Sequence, residues 1–119
     1  MRSIIFAGVG SVLAVGAAQA VQGHYVGKGS EPAGYQWDLD AKVSPAGRGR
    51  YKIQVTSTNA NCASQTDGVG TLRGKVLKVS GSCPLTIRFR GQSARIVEGK
   101  GCVDHGATCT FSGTLRAER

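Results

Sequence analysis

Four residues close together near the C-terminal end of the chain carry side chains suited to acid-base chemistry: Arg95, Glu98, Asp104 and His105. A carboxylate and an imidazole can divide the general base and acid roles on a phosphodiester, and a cation can stabilise the charge that builds on phosphorus. That set would suit a small secreted hydrolase, such as a ribonuclease. No nucleophile elbow, phosphate loop or metal motif accompanies it, so the sequence assigns no catalytic residue and the chain reads as non-enzymatic. Cys102, Cys109 and His105 also offer three metal-ligating atoms. Zinc sites use four ligands at recognisable spacing, and with only three here no metal or cofactor is expected.

The cysteines matter more as cross-links. Cys62, Cys83, Cys102 and Cys109 allow three pairings. Joining Cys62 to Cys83 and Cys102 to Cys109 encloses the most compact local units, which makes it the expected connectivity. Gly101 and Gly106 permit the turns that a loop between Cys102 and Cys109 needs. Two disulfides suit a small exported domain in an oxidising compartment.

The N-terminus agrees with export. Arg2 precedes an apolar run, Ile4 to Ala18, and Ala18-Gln19-Ala20 has the small-x-small form cut by signal peptidase. Residues 1–20 therefore read as a signal peptide and residues 21–119 as one domain, periplasmic or secreted. No later stretch is apolar enough to span a bilayer as a helix. A domain of this size buries about two thirds of the surface its unfolded chain exposes, so covalent ties supplement a modest core.

Period-two patterns position the candidate residues. Tyr35, Trp37, Leu39, Ala41 and Val43 alternate with polar residues, as do Tyr51, Ile53 and Val55, then Leu85, Ile87 and Phe89, then Ala94, Ile96 and Glu98. Trp37 reads as a core anchor. His24 to Gly29 predicts an edge strand or a lead-in, and Gly68 to Ser80 predicts two short strands reversing near Arg73-Gly74. Phe111, Gly113, Leu115 and Ala117 alternate with Thr110, Ser112, Thr114 and Arg116 in a closing strand. Seven or eight short strands without a helical period predict an all-β fold, a small antiparallel barrel or sandwich. Glycines within the strands favour a sheet that curls on itself.

This alternation turns Arg50, Lys52, Arg88, Arg90, Arg95 and Arg116 outward. The chain carries a net charge of +8, and the charge is unevenly spread. Residues 21–47 hold two lysines against three carboxylates, whereas residues 48–119 hold twelve lysines and arginines against four. Such a field concentrates anionic partners: glycan, lipid head groups or an acidic protein. Nucleic acid is disfavoured, because the aromatics near the arginines fall on the inner face. Asp104, His105, Ser112, Arg116, Arg88, Arg90 and Arg95 are the candidate binding residues.

A signal peptide, a domain near one hundred residues, a tryptophan in an early strand, paired cysteines and a late Ser-Gly segment resemble the small periplasmic β-barrel inhibitors of animal-type lysozymes. The candidate signature segments are Ser112-Gly113-Thr114-Leu115-Arg116 and Ser80-Gly81-Ser82-Cys83-Pro84. The family places a tyrosine at the end of its Ser-Gly-x-x-Tyr loop, where this chain has Arg116 or Pro84. The resemblance implies a β-barrel and a lysozyme, or another envelope or host protein, as partner. It implies residues 101–112 as the contact, with Arg116 meeting a carboxylate of the enzyme. An envelope-associated protein holding an anionic polymer on its basic face is the alternative that charge alone suggests.

Overall fold

The computed structural model describes residues 21–118, and the expected signal peptide, residues 1–20, lies outside the described residues. Eight strands follow one another: β1 (Gly23–Ser30), β2 (Gln36–Pro45), β3 (Arg50–Asn59), β4 (Cys62–Arg73), β5 (Val76–Ser80), β6 (Leu85–Arg90), β7 (Ser93–Glu98) and β8 (Gly113–Ala117). Each pairs antiparallel with the next, and β8 returns to β1, so the sheet closes into a barrel. Of the two predicted architectures, the barrel is the one formed.

Closure follows from the inward side of the alternation. Trp37, Leu39, Ala41 and Val43 of β2, Ile53 and Val55 of β3, Leu85, Ile87 and Phe89 of β6, and Ala94 and Ile96 of β7 are buried in one core. Tyr25 joins them from β1, its ring 5.7 Å from that of Phe89. Its hydroxyl donates to the Val21 carbonyl at 3.1 Å, which satisfies the polar end of a buried ring. Where β1 meets β8 the backbones are too close for an inward side chain. A Cβ at Gly27 would lie 2.0 Å from the Thr114 carbonyl oxygen. At the opposite side, Gly74 has φ +62° and heads the two-residue reversal between β4 and β5, near the predicted position.

Four expectations change. The predicted edge strand, β1, is paired on both sides, because a closed ring has no edge. Tyr35 precedes β2 and is exposed. The strand β4 begins at Cys62, six residues earlier than Gly68, and β8 begins only at Gly113. The disulfides are Cys62–Cys109 and Cys83–Cys102, not Cys62–Cys83 and Cys102–Cys109. Compactness along the chain misled here, because the segment from Gly99 to Ser112 crosses one end of the barrel and meets strands distant in sequence.

Candidate functional site

The crossing segment closes the barrel mouth formed by the end of β3, the start of β4, the start of β6 and the end of β7. Polar residues on the inward side of β3 and β4 receive it. The Ser57 hydroxyl donates to the Thr110 carbonyl at 2.6 Å, and Asn59 Nδ2 donates to the Thr108 carbonyl at 2.8 Å. Gly106 N–H donates to Ser64 Oγ at 3.0 Å, while Trp37 Nε1 donates to the Ser112 carbonyl at 2.9 Å. The two disulfides fasten the segment from both sides. Cys109 and Phe111 are fully buried, so the segment is a plug that completes the core.

Asp104 and His105 belong to this plug, and Glu98 ends β7 beside it. Asp104 Oδ2 accepts hydrogen bonds from the Thr66 hydroxyl at 2.7 Å and from the Ser82 hydroxyl. These two donors, Ser82 first, hold its carboxyl below the usual aspartate range despite the opposing effect of desolvation, and the nearby His105 adds to the lowering. His105 Nε2 lies 2.8 Å from Glu98 Oε2, and its Nδ1 lies 2.6 Å from the Gly106 carbonyl. Both ring nitrogens thus face acceptors, an arrangement that suits the imidazolium. Burial alone would lower its pKa. The hydrogen bonds to Gly106 and Glu98, with the charges of Glu98 and Asp104, outweigh burial and raise it. The other Glu98 oxygen accepts from Phe111 N–H at 3.0 Å, and Glu98 N–H donates to Ser112 Oγ at 2.9 Å.

The candidate acid-base pair is therefore assembled, but as a bridge between the plug and the end of β7. Side-chain exposure is 21% for His105 and 15% for Glu98, and the polar atoms of both are occupied by each other and by backbone. Arg95 lies outside it. It lines an open groove of about 600 Å³ over β1, β7 and β8 with Lys28, Ser112 and Thr114. The metal set falls apart likewise, since Cys102 and Cys109 belong to different disulfides and neither supplies a thiolate.

The pH response of stability follows from the charged bridge. A raised folded-state value means that His105 stabilises the protein fully below the ordinary imidazole value near 6.5, and that this contribution disappears as pH rises through the folded value. Asp104 has the opposite sense, its contribution being lost as pH falls through its depressed value. Urea titrations of the native chain and of His105→Gln are expected to differ more at about pH 5.5 than at about pH 9. A difference independent of pH would show that the ring acts only by packing, through its edge-on contact with Phe111.

The arginines compose a second feature. Arg88 of β6 stands opposite Arg95 of β7, and Arg95 stands opposite Thr114 of β8, which faces Lys28 of β1. One step along the strands, Arg90 pairs with Ser93, and Ser93 with Arg116. Ring order thus gathers Arg88, Arg90, Arg95 and Arg116 on three adjacent strands, all exposed. Arg50 and Lys52 are on β3, away from this group. Among the described residues the side-chain ion pairs are His24–Asp40, His24–Glu118, Lys28–Asp38 and His105–Glu98, and none involves an arginine. Asp38 and Asp40 are on β2, four strands from β6, three from β7 and two from β8 in the eight-strand ring, so they lie across the barrel from Arg88 and Arg90 but only a quarter turn from Arg116. No family model, curated protein or solved structure matches the chain.

Proposed function

We propose that the protein is a non-enzymatic binding module for an anionic polymer, working in an oxidising compartment beyond the cytoplasmic membrane, with the arginine face of β6, β7 and β8 as its contact. The observation that carries this reading is the cross-strand pair Arg88–Arg95, flanked by Arg90 and Arg116. Like charges directly opposite in a sheet are destabilising, and a bound polyanion relieves that repulsion. Asp38 and Asp40, across the ring from Arg88 and Arg90 on β6, leave that side of the basic face to meet an approaching polyanion.

The lysozyme-inhibitor reading uses residues 101–112 as its contact, and there the polar groups of Asp104, His105 and Ser112 are engaged within the barrel mouth. A basic chain also lacks long-range attraction to a basic enzyme. Loss of lysozyme activity on adding the protein in micromolar excess would favour that reading over the polymer.

Retention on immobilised heparin or polyphosphate tests the proposal. Changing Arg88, Arg90 and Arg95 together to Gln is expected to lower the eluting salt and to reduce the slope of log affinity against log salt by roughly 2–3, about one per lost contact. The same charge removed at Lys42, Arg48 and Lys52 leaves both nearly unchanged. Equal losses in the two variants, or none in the first, would refute a localised face.

A further inference from the structure

At the margin of the arginine face, a cavity of about 310 Å³ is lined by Thr71, Arg73, Val76, Lys78 and Arg88. It draws on three consecutive strands: Thr71 stands opposite Lys78, Arg73 opposite Val76, and Val76 opposite Arg88. Three cations and one hydroxyl therefore bound one small space. Among the described residues, none of the three cations has an ion-pair partner. Arg88 also begins the row that continues to Arg95, which makes the cavity continuous with the proposed contact.

The walls are held in place. Leu72 N–H donates to the Gly49 carbonyl at 2.9 Å, and Phe89 N–H donates to the Lys75 carbonyl at 2.9 Å. These bonds tie the β4–β5 reversal to its neighbours on both sides, so the cations are mounted on a fixed frame and binding costs little backbone ordering. We propose that this cavity is an oxyanion subsite for a phosphate ester, the repeating charged unit of the polymer; this rests on the polymer reading above. Two guanidinium forks, an ammonium and a hydroxyl supply more donors than a planar carboxylate can use and suit the several oxygens of a tetrahedral group. The volume exceeds what a bare oxyanion fills, being room for roughly ten waters, and the Val76 side chain offers an apolar wall to the attached carbon chain.

Amide chemical shifts of the full chain, recorded at about 0.1 M salt during titration with glycerol phosphate and, separately, inorganic phosphate, test the subsite. Saturable shifts are expected at Thr71, Arg73, Val76, Lys78 and Arg88, with glycerol phosphate the tighter ligand. The double variant Arg73→Gln, Lys78→Gln is expected to weaken them at least tenfold, while Lys42→Gln, Lys52→Gln, away from the arginine face, leaves them unchanged. Shifts spread over all the basic strands, or equal weakening by the two double variants, would overturn the subsite. Equal binding of the two ligands would overturn its ester half. Heparin and polyphosphate retention of the same proteins separates the two levels: retention without local phosphate shifts removes the subsite alone, and local shifts without polymer retention remove the polymer reading alone.

Discussion

Replacing Cys62 and Cys109 together with alanine is expected to lower the unfolding free energy by about 4 kcal/mol, the larger of the two cross-link effects in this protein. The bond joins positions 47 residues apart and ties the plug to the start of β4, so its removal frees a long stretch of the unfolded chain. Removing Cys83 and Cys102, which are 19 residues apart, is expected to cost about 3 kcal/mol on the same basis. Urea unfolding followed by Trp37 fluorescence measures both. The single tryptophan is buried and bonds the Ser112 carbonyl, so it reports on the mouth directly. Against a stability of roughly 5 to 10 kcal/mol, either loss is large. Peptide mapping without reduction provides the control: fragments joining Cys62 to Cys83 would contradict the connectivity and both stability figures.

Phe111→Ala is expected to cost about 3–5 kcal/mol, comparable with losing a disulfide although no covalent bond is touched. Phe111 is the fully buried inner side of the plug, and its ring meets that of His105 edge-on at a centroid distance of 5.9 Å. Truncation opens a cavity at the place where the segment seals the core, and disulfides on both sides limit how far the walls can collapse into it. Phe111→Leu, which keeps most of the volume, is expected to recover more than half of the loss. Thermal or urea unfolding of the two variants checks the order, and equal stabilities would mean that the plug contributes little packing.

How much of this was legible depended on whether an element fills its own inward positions with apolar side chains. The strands β2, β3, β6 and β7 do, and Leu39, Ile53, Ile87 and Ile96 point where their alternation predicts. The first half of β4 does not. Its inward residues Ser64 and Thr66 are polar because they receive the plug, so a hydrophobic period could not reveal it. Inward-register Ser57, Ser64 and Thr66 around Cys62 were the available signal that another segment lands there. Glu98 and His105 were legible as a pair to consider, but their role depends on Phe111 N–H and the Gly106 carbonyl, which spacing cannot bring near. The outward direction of Arg88, Arg90, Arg95 and Arg116 was readable from parity. Their contiguity required ring order, because an open sandwich with another strand order would have separated them.

Tyr25 pairs with Ala117 across the seam between β1 and β8, so the first strand depends for its partner on residues at the far end of the barrel sequence. During synthesis, β1 has only β2 beside it until β8 has emerged, and its other backbone edge stays open in the interval. Contacts of such long sequence separation also form slowly. The β1–β8 seam, joining the strands farthest apart in the chain, is therefore the pairing whose loop closure costs most.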